Sequence, residues 1–195
     1  MADLKNTANR NIRNKTLKMK SGIRSESFFN YTQTQGDNVI SAFARAGVIF
    51  LFCANDQELL NVWSEWFDKT ISAYDKEVAE VKTQVEQLRL RLPSDFELPE
   101  IEIPENYVWR YDVSTPQVCK LASIVLKMDE LMAEVECLWL LGQVESIELS
   151  TARNQAIGAV KRLLTSIYTV TNKGKRNNGP YRAAVFMELF RAQRT

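Results

Sequence analysis

Histidine is absent from all 195 residues of this chain. That removes the most frequent general base at neutral pH and the usual nitrogen ligand of zinc or iron. Cysteine is scarce. Cys53, Cys119 and Cys137 are odd in number, lie in apolar helical patterns and lack metal-binding spacing. They read as reduced core thiols of a cytoplasmic protein. No glycine-rich phosphate loop and no nucleophile elbow occurs. Carboxylates do cluster at Asp95, Glu97, Glu100, Glu102 and Glu105, but Pro93, Pro99 and Pro104 interleave with them. A solvated linker suits that composition better than an acid/base pair. The expectation is therefore no enzyme, no cofactor, no metal and no small-molecule pocket. Long hydrophobic runs are also lacking. The longest, Ala46 to Ala54, is broken by Gly47, follows Arg45 and is too short to span a bilayer. No signal peptide is evident at the start.

What is present is charge asymmetry. Residues 1–25 hold seven bases against Asp3, and residues 171–195 hold six against Glu188. The stretch between them carries twelve bases and twenty-two acids, so the formal total of +1 hides two basic ends on an acidic body. Such a distribution points to a polyanionic partner. Thr16-Leu17-Lys18-Met19-Lys20 alternates polar and apolar, which is strand period. It puts Asn14, Thr16, Lys18 and Lys20 on one face and Leu17 and Met19 on the other. Two readings follow. One is a solvated edge strand guarded by lysines. The other is half of a two-stranded ribbon that enters the DNA major groove, where Lys, Thr and Asn read base edges.

The chain then reads as mainly α. Residues 1–13 form a flexible basic arm, and a strand covers 14–20 with Ser21-Gly22 as its turn. Phe28, Phe29 and Tyr31 make an aromatic packing cluster. A buried helix covers 38–53, with Asp37 as N-cap. Asn55 caps a second, long helix, with Glu58 at the capping-box position and Pro93 as its stop after Leu92. Its apolar steps run through Trp63, Phe67, Ile71, Tyr74, Val78, Val81, Val85, Leu88 and Leu92. That seam needs a partner, either within this chain or on a second copy. An extended segment covers 98–113, with Tyr107, Trp109 and Tyr111 on one face. Thr115-Pro116 opens a helix that Gly142 closes. Its stripe of Leu121, Val125, Met128, Met132, Val135 and Leu138 reads as core. Helices at 149–171 and 181–192 complete the chain. The basic cluster Lys173, Lys175 and Arg176 keeps the intervening loop solvated or touches flanking backbone.

A basic strand, a helix, a tight turn and a long second helix are the layout of a ribbon-helix-helix unit. On this reading, residues 14–92 are the DNA-binding and dimerisation region and 93–195 a helical region packed on the long helix. A lone ribbon strand lacks a partner in its own subunit, so two-fold dimerisation is expected. The N-terminus of the second helix, Asn55 to Gln57, is a place where a phosphate can meet free N–H groups, although Asp56 and Glu58 oppose it.

At this point the chain resembles the AcaB-like transcriptional regulators carried by integrating conjugative elements and conjugative plasmids. The resemblance lies in Leu17-Lys18-Met19-Lys20-Ser21, in Phe43-Ala44-Arg45-Ala46-Gly47, and in Asn55-Asp56 ahead of Leu60. It continues in Thr115-Pro116-Gln117 through Leu121, Met128-Asp129-Glu130-Leu131, Gly142-Gln143-Val144, and Ala156 through Leu163, in matching order over about residues 16–172. It implies a cytoplasmic, non-enzymatic regulator that binds double-stranded DNA at transfer-gene promoters, acting as an activator. The expected DNA-binding set is Asn14, Thr16, Lys18 and Lys20 toward bases, and Arg10, Arg13, Lys15 and Arg24 toward phosphates. The competing reading is a helical adaptor or relaxosome accessory protein, with the 63–92 seam as its working surface.

Overall fold

A computed structural model describes residues 16–93, 96, 99, 101–174 and 182–192. Among the described residues the strands and α-helices follow in the order β1 (Leu17–Gly22), α1 (Glu26–Cys53), α2 (Gln57–Arg89), β2 (Val108–Val113), α3 (Pro116–Leu140), α4 (Ser146–Thr171) and α5 (Ala183–Ala192). The described residues are thus mainly helical, with one two-stranded sheet.

β1 pairs antiparallel with β2, from Leu17 opposite Val113 to Gly22 opposite Val108. This corrects the expectation that the basic strand must borrow a partner from a second copy. The chain supplies the partner itself, so strand pairing does not make dimerisation obligatory. Ser21-Gly22 lies inside the strand and is not its turn; the main-chain N–H of Ile23 carries the ladder on to the Tyr107 carbonyl at 2.9 Å.

α1 begins twelve residues earlier than the sequence predicts, at the N-cap Ser25, whose Oγ accepts from the Phe28 N–H at 3.1 Å. Gly36-Asp37 resembles a breaker but lies within the helix. A Cβ built on Gly36 would stand 2.8 Å from Trp109 Nε1, so the glycine is there to let α1 approach β2. Gly47 likewise lies against Thr115, leaving no room for a Cβ. The start of α1 is held by α3. Asp129 accepts from the N–H groups of Arg24 (2.8 Å) and Ser25 (2.9 Å) and from Ser25 Oγ (2.7 Å). Glu136 accepts from the N–H groups of Glu26 (2.8 Å) and Ser27 (3.0 Å) and from Ser27 Oγ (2.7 Å). Three consecutive donors that a helix start leaves open, and the Arg24 N–H just ahead of them, are thereby satisfied from another element.

By length and composition α1 could cross a membrane, but Phe28, Val39, Phe43 and Ile49 are buried inside the protein, as in the central helix of a core. It contacts β2, α2, α3, α4 and α5.

α2 is capped by Asp56, one residue after the predicted Asn55; Asp56 Oδ1 accepts from the Leu59 N–H at 3.1 Å. Asp56 also lies 3.7 Å from Arg191, so this helix start is occupied by its own carboxylate and is no anion site. The seam residues Trp63, Phe67, Ile71, Tyr74, Val81 and Val85 are buried. Their partners are helices of the same chain, chiefly α3 and α4, with Phe186 of α5 edge-on to Trp63. An adaptor reading that needs the seam exposed loses its surface. Arg91 clamps Glu148 bidentately at 3.0 and 2.7 Å, and Arg162 grips Glu77 in the same way.

α3 starts at Pro116 and stops before Gly142, which adopts φ 70°. Thr115 sits at the cap position, but its hydroxyl makes no capping bond and is buried against Gly47. α4 starts three residues before the predicted 149, through a reciprocal capping box of Glu145 and Glu148. Cys53 and Cys137 are buried, whereas Cys119 is exposed and not a core thiol.

Asp129→Asn puts an amide donor where N–H groups now converge. It should lower the unfolding free energy by roughly 1–3 kcal/mol in urea titrations; an unchanged midpoint would refute the trans-capping role. Two carboxyls should also titrate in opposite directions. Burial pushes Asp129 up despite its donors, so the native state keeps a proton that the unfolded chain has lost, and its contribution to stability falls as pH rises through that interval. The Arg91 guanidinium, with the Glu145 N–H, holds Glu148 down to about 2; its contribution is complete above the ordinary glutamate range and disappears as pH falls through about 2. Carboxyl carbon-13 NMR should therefore show Glu148 titrating well below Asp129, and the reverse order would contradict both assignments.

Candidate nucleic-acid interface

The β1–β2 register sorts side chains by face. Met19 opposite Tyr111 and Ser21 opposite Trp109 point inward; Lys18 opposite Asp112 and Lys20 opposite Arg110 point outward. The inner face is fixed. Trp109 and Tyr111 are buried with ring centroids 4.6 Å apart, Ser21 Oγ and Tyr111 Oη share a 3.1 Å hydrogen bond, and Trp109 rests on the Gly36 turn of α1. Met19 is half-buried against the core. Leu17, expected as a second anchor, is 65% exposed at the end of the ribbon.

The outer face carries three cations and one carboxylate, all exposed. Lys20 stands directly across from Arg110. Like charges facing each other across a strand pair cost stability unless an anion lies over them. A groove of about 620 Å³ runs beside this face, lined by Lys18, Lys20, Arg110 and Asp112 with Met19, Tyr111 and, from α1, Asp37 and Ile40. A smaller groove of about 190 Å³ continues under β2 past Arg110 to Gln33 and Thr34. A two-stranded ribbon of this kind has the width of the major groove, and Lys and Arg donors suit phosphates and guanine edges.

The structure brings Lys18 and Lys20 together with Arg110, with exposed Thr16 just ahead of β1. Arg24 lies elsewhere. Its main chain is bound to Asp129, and its side chain lines a separate pocket of about 370 Å³ with Glu130, Glu134 and Cys137. Arg10, Arg13, Asn14 and Lys15 fall outside the described residues. Arg110 and Asp112 are the residues that sequence reasoning missed. The alternation of Tyr107, Trp109 and Tyr111 was the available signal, since residues of the opposite parity share the outward face. Among the described residues, no group of three or more acidic or cysteine side chains is placed to hold a metal.

No protein-family model matches the chain, and no curated protein matches it. Among solved structures it is similar to the crystal structure of selenomethionine-containing AcaB from uropathogenic E. coli. The TM-score is 0.60 at 18% sequence identity, over 89% of this chain and 96% of that one. The chain therefore has an AcaB-like fold.

Gly36→Ala tests how the ribbon is seated. The added methyl meets buried Trp109, so the variant should be destabilised by roughly 1–3 kcal/mol through overpacking. The Trp109 indole N–H resonance should move with it; an unmoved resonance and unchanged stability would show that α1 does not set the ribbon's position.

Proposed function

We propose that this chain is a non-enzymatic, sequence-specific DNA-binding regulator, a transcriptional activator of conjugative transfer genes that works in the cytoplasm as a homodimer. The observation that carries the reading is the two-stranded ribbon: one face fixed on α1, the other presenting Lys18, Lys20 and Arg110 in register. The AcaB-like fold and the sequence resemblance support the same class.

In this reading the ribbon lies in the major groove. Lys18, Lys20 and Arg110 approach base edges, Thr16 and Asn14 stand beside them, and Arg10, Arg13 and Lys15 neutralise phosphates. The acidic body directs the basic end toward the duplex. A homodimer about a two-fold axis would set one such intrachain ribbon on each half of a pseudo-palindromic site, unlike a ribbon-helix-helix protein, in which each copy gives one strand.

A DNase footprint on the upstream region of the element, with sedimentation of the free and bound protein, tests both parts. A protected inverted repeat and a dimer mass are expected. Lys18→Ala, Lys20→Ala and Arg110→Ala should each weaken specific binding by roughly 1–3 kcal/mol. Wild-type affinity in the Lys18→Ala/Lys20→Ala double variant would remove the ribbon from the interface.

A further inference from the structure

On the side of α1 that adjoins α4, the two helices run in the same direction. Tyr168 Oη donates to the Asn38 carbonyl at 2.8 Å, and Arg45 donates to Asn172 Oδ1 at 3.1 Å. N-terminal to these contacts a groove of about 550 Å³ opens between them, lined by Asn30, Thr34, Gln35, Arg153, Ile157 and Lys161. Its electrostatics differ from the rest of the body. Residues 149–187 contain no Asp or Glu and seven Lys or Arg. Arg162 turns away to Glu77, and Arg91 is taken by Glu148. Arg153 and Lys161 are exposed and have no ion-pair partner among the described residues. The groove is also continuous with the ribbon. Thr34 lines both it and the small groove that ends at Arg110.

We propose that this α1–α4 groove is a second DNA-contact surface, one that takes the phosphodiester backbone flanking the bases under the ribbon. The proposal rests on the regulator reading above. Arg153 and Lys161 supply charge, and the exposed Asn30 and Gln35 amides supply neutral donors. The two cations are eight residues apart, about 12 Å along α4, a length over which one strand of duplex carries about three to four phosphates. Arg153 also borders a pocket containing Glu26 and Glu136, whose carboxylates repel a backbone, so the track ends there. Among the described residues, the walls of this groove are helices α1 and α4, with no strand or loop to reach a base edge. Its contribution is therefore independent of sequence, unlike that of the ribbon.

The test compares wild type, Arg153→Ala/Lys161→Ala and Lys18→Ala/Lys20→Ala on two duplexes of equal length, one from the upstream region and one of random sequence, across a salt series. Thermal melting by circular dichroism checks that the variants are folded. The groove variant should lose about tenfold in affinity for both duplexes at low salt, and its salt slope should become shallower by about two, with the ratio between duplexes unchanged. The ribbon variant should lose the ratio itself. Wild-type affinity and slope in the groove variant, alongside a defective ribbon variant, would overturn the groove and leave the regulator reading standing. Failure of the wild type to bind either duplex would overturn both.

Discussion

Two carboxylates on one side of α3 hold the start of α1 in place. Asp129 and Glu136 are seven residues apart, close to two helical turns, and project onto the same corner. Between them they take up the N–H groups of Arg24, Ser25, Glu26 and Ser27 and the hydroxyls of Ser25 and Ser27. A buried carboxylate without donors is expensive, and so is a buried N–H without an acceptor. Here the donors offset part of the carboxylate's cost, although burial still pushes Asp129 up. β1 runs directly into this corner, and β2 runs through Ser114 and Thr115 into the start of α3. Both strands are thus anchored to the same helix, and the ribbon has little freedom to shift register.

That rigidity matters because the ribbon's outer face is electrostatically unfavourable by itself. Lys20 faces Arg110, with a single carboxylate, Asp112, on the same face. The aromatic inner face, closed by the Gly36 approach, stabilises an arrangement that its charges oppose. The excess positive potential then remains available to an anion. The acid-free stretch through α4 extends the same sign of charge along the α1–α4 groove, while Glu26, Glu130, Glu134 and Glu136 occupy the corner near Arg24.

The signals that were legible in the sequence were those enforced within a few residues. Pro116 at a helix start and Gly142 beyond its end express backbone constraints that need no distant partner. The apolar period from Trp63 marked the buried face of α2 correctly, but periodicity carries no information about what lies opposite. Gly36-Asp37 misled for a definite reason. Locally a glycine followed by a capping residue reads as an interruption, and the explanation lies in Trp109, seventy-three residues away. In the candidate site, alternation exposed Lys18 and Lys20, whereas Arg24 changed surroundings because its own main chain is drawn to Asp129. Asp129 itself stood inside a stripe of core residues and gave no hint of its function.

Composition and local pattern alone settled the helical character, the basic strand and which side of each long helix is apolar, because propensity, capping and period act through neighbours along the backbone. The folded arrangement decided that β1 meets β2, that the long seam closes inside the chain, and that Arg110 joins the lysines. Those outcomes depend on which surfaces come into register across long loops, and a hydrogen-bond ladder or a glycine contact selects a partner only once both are in the same place.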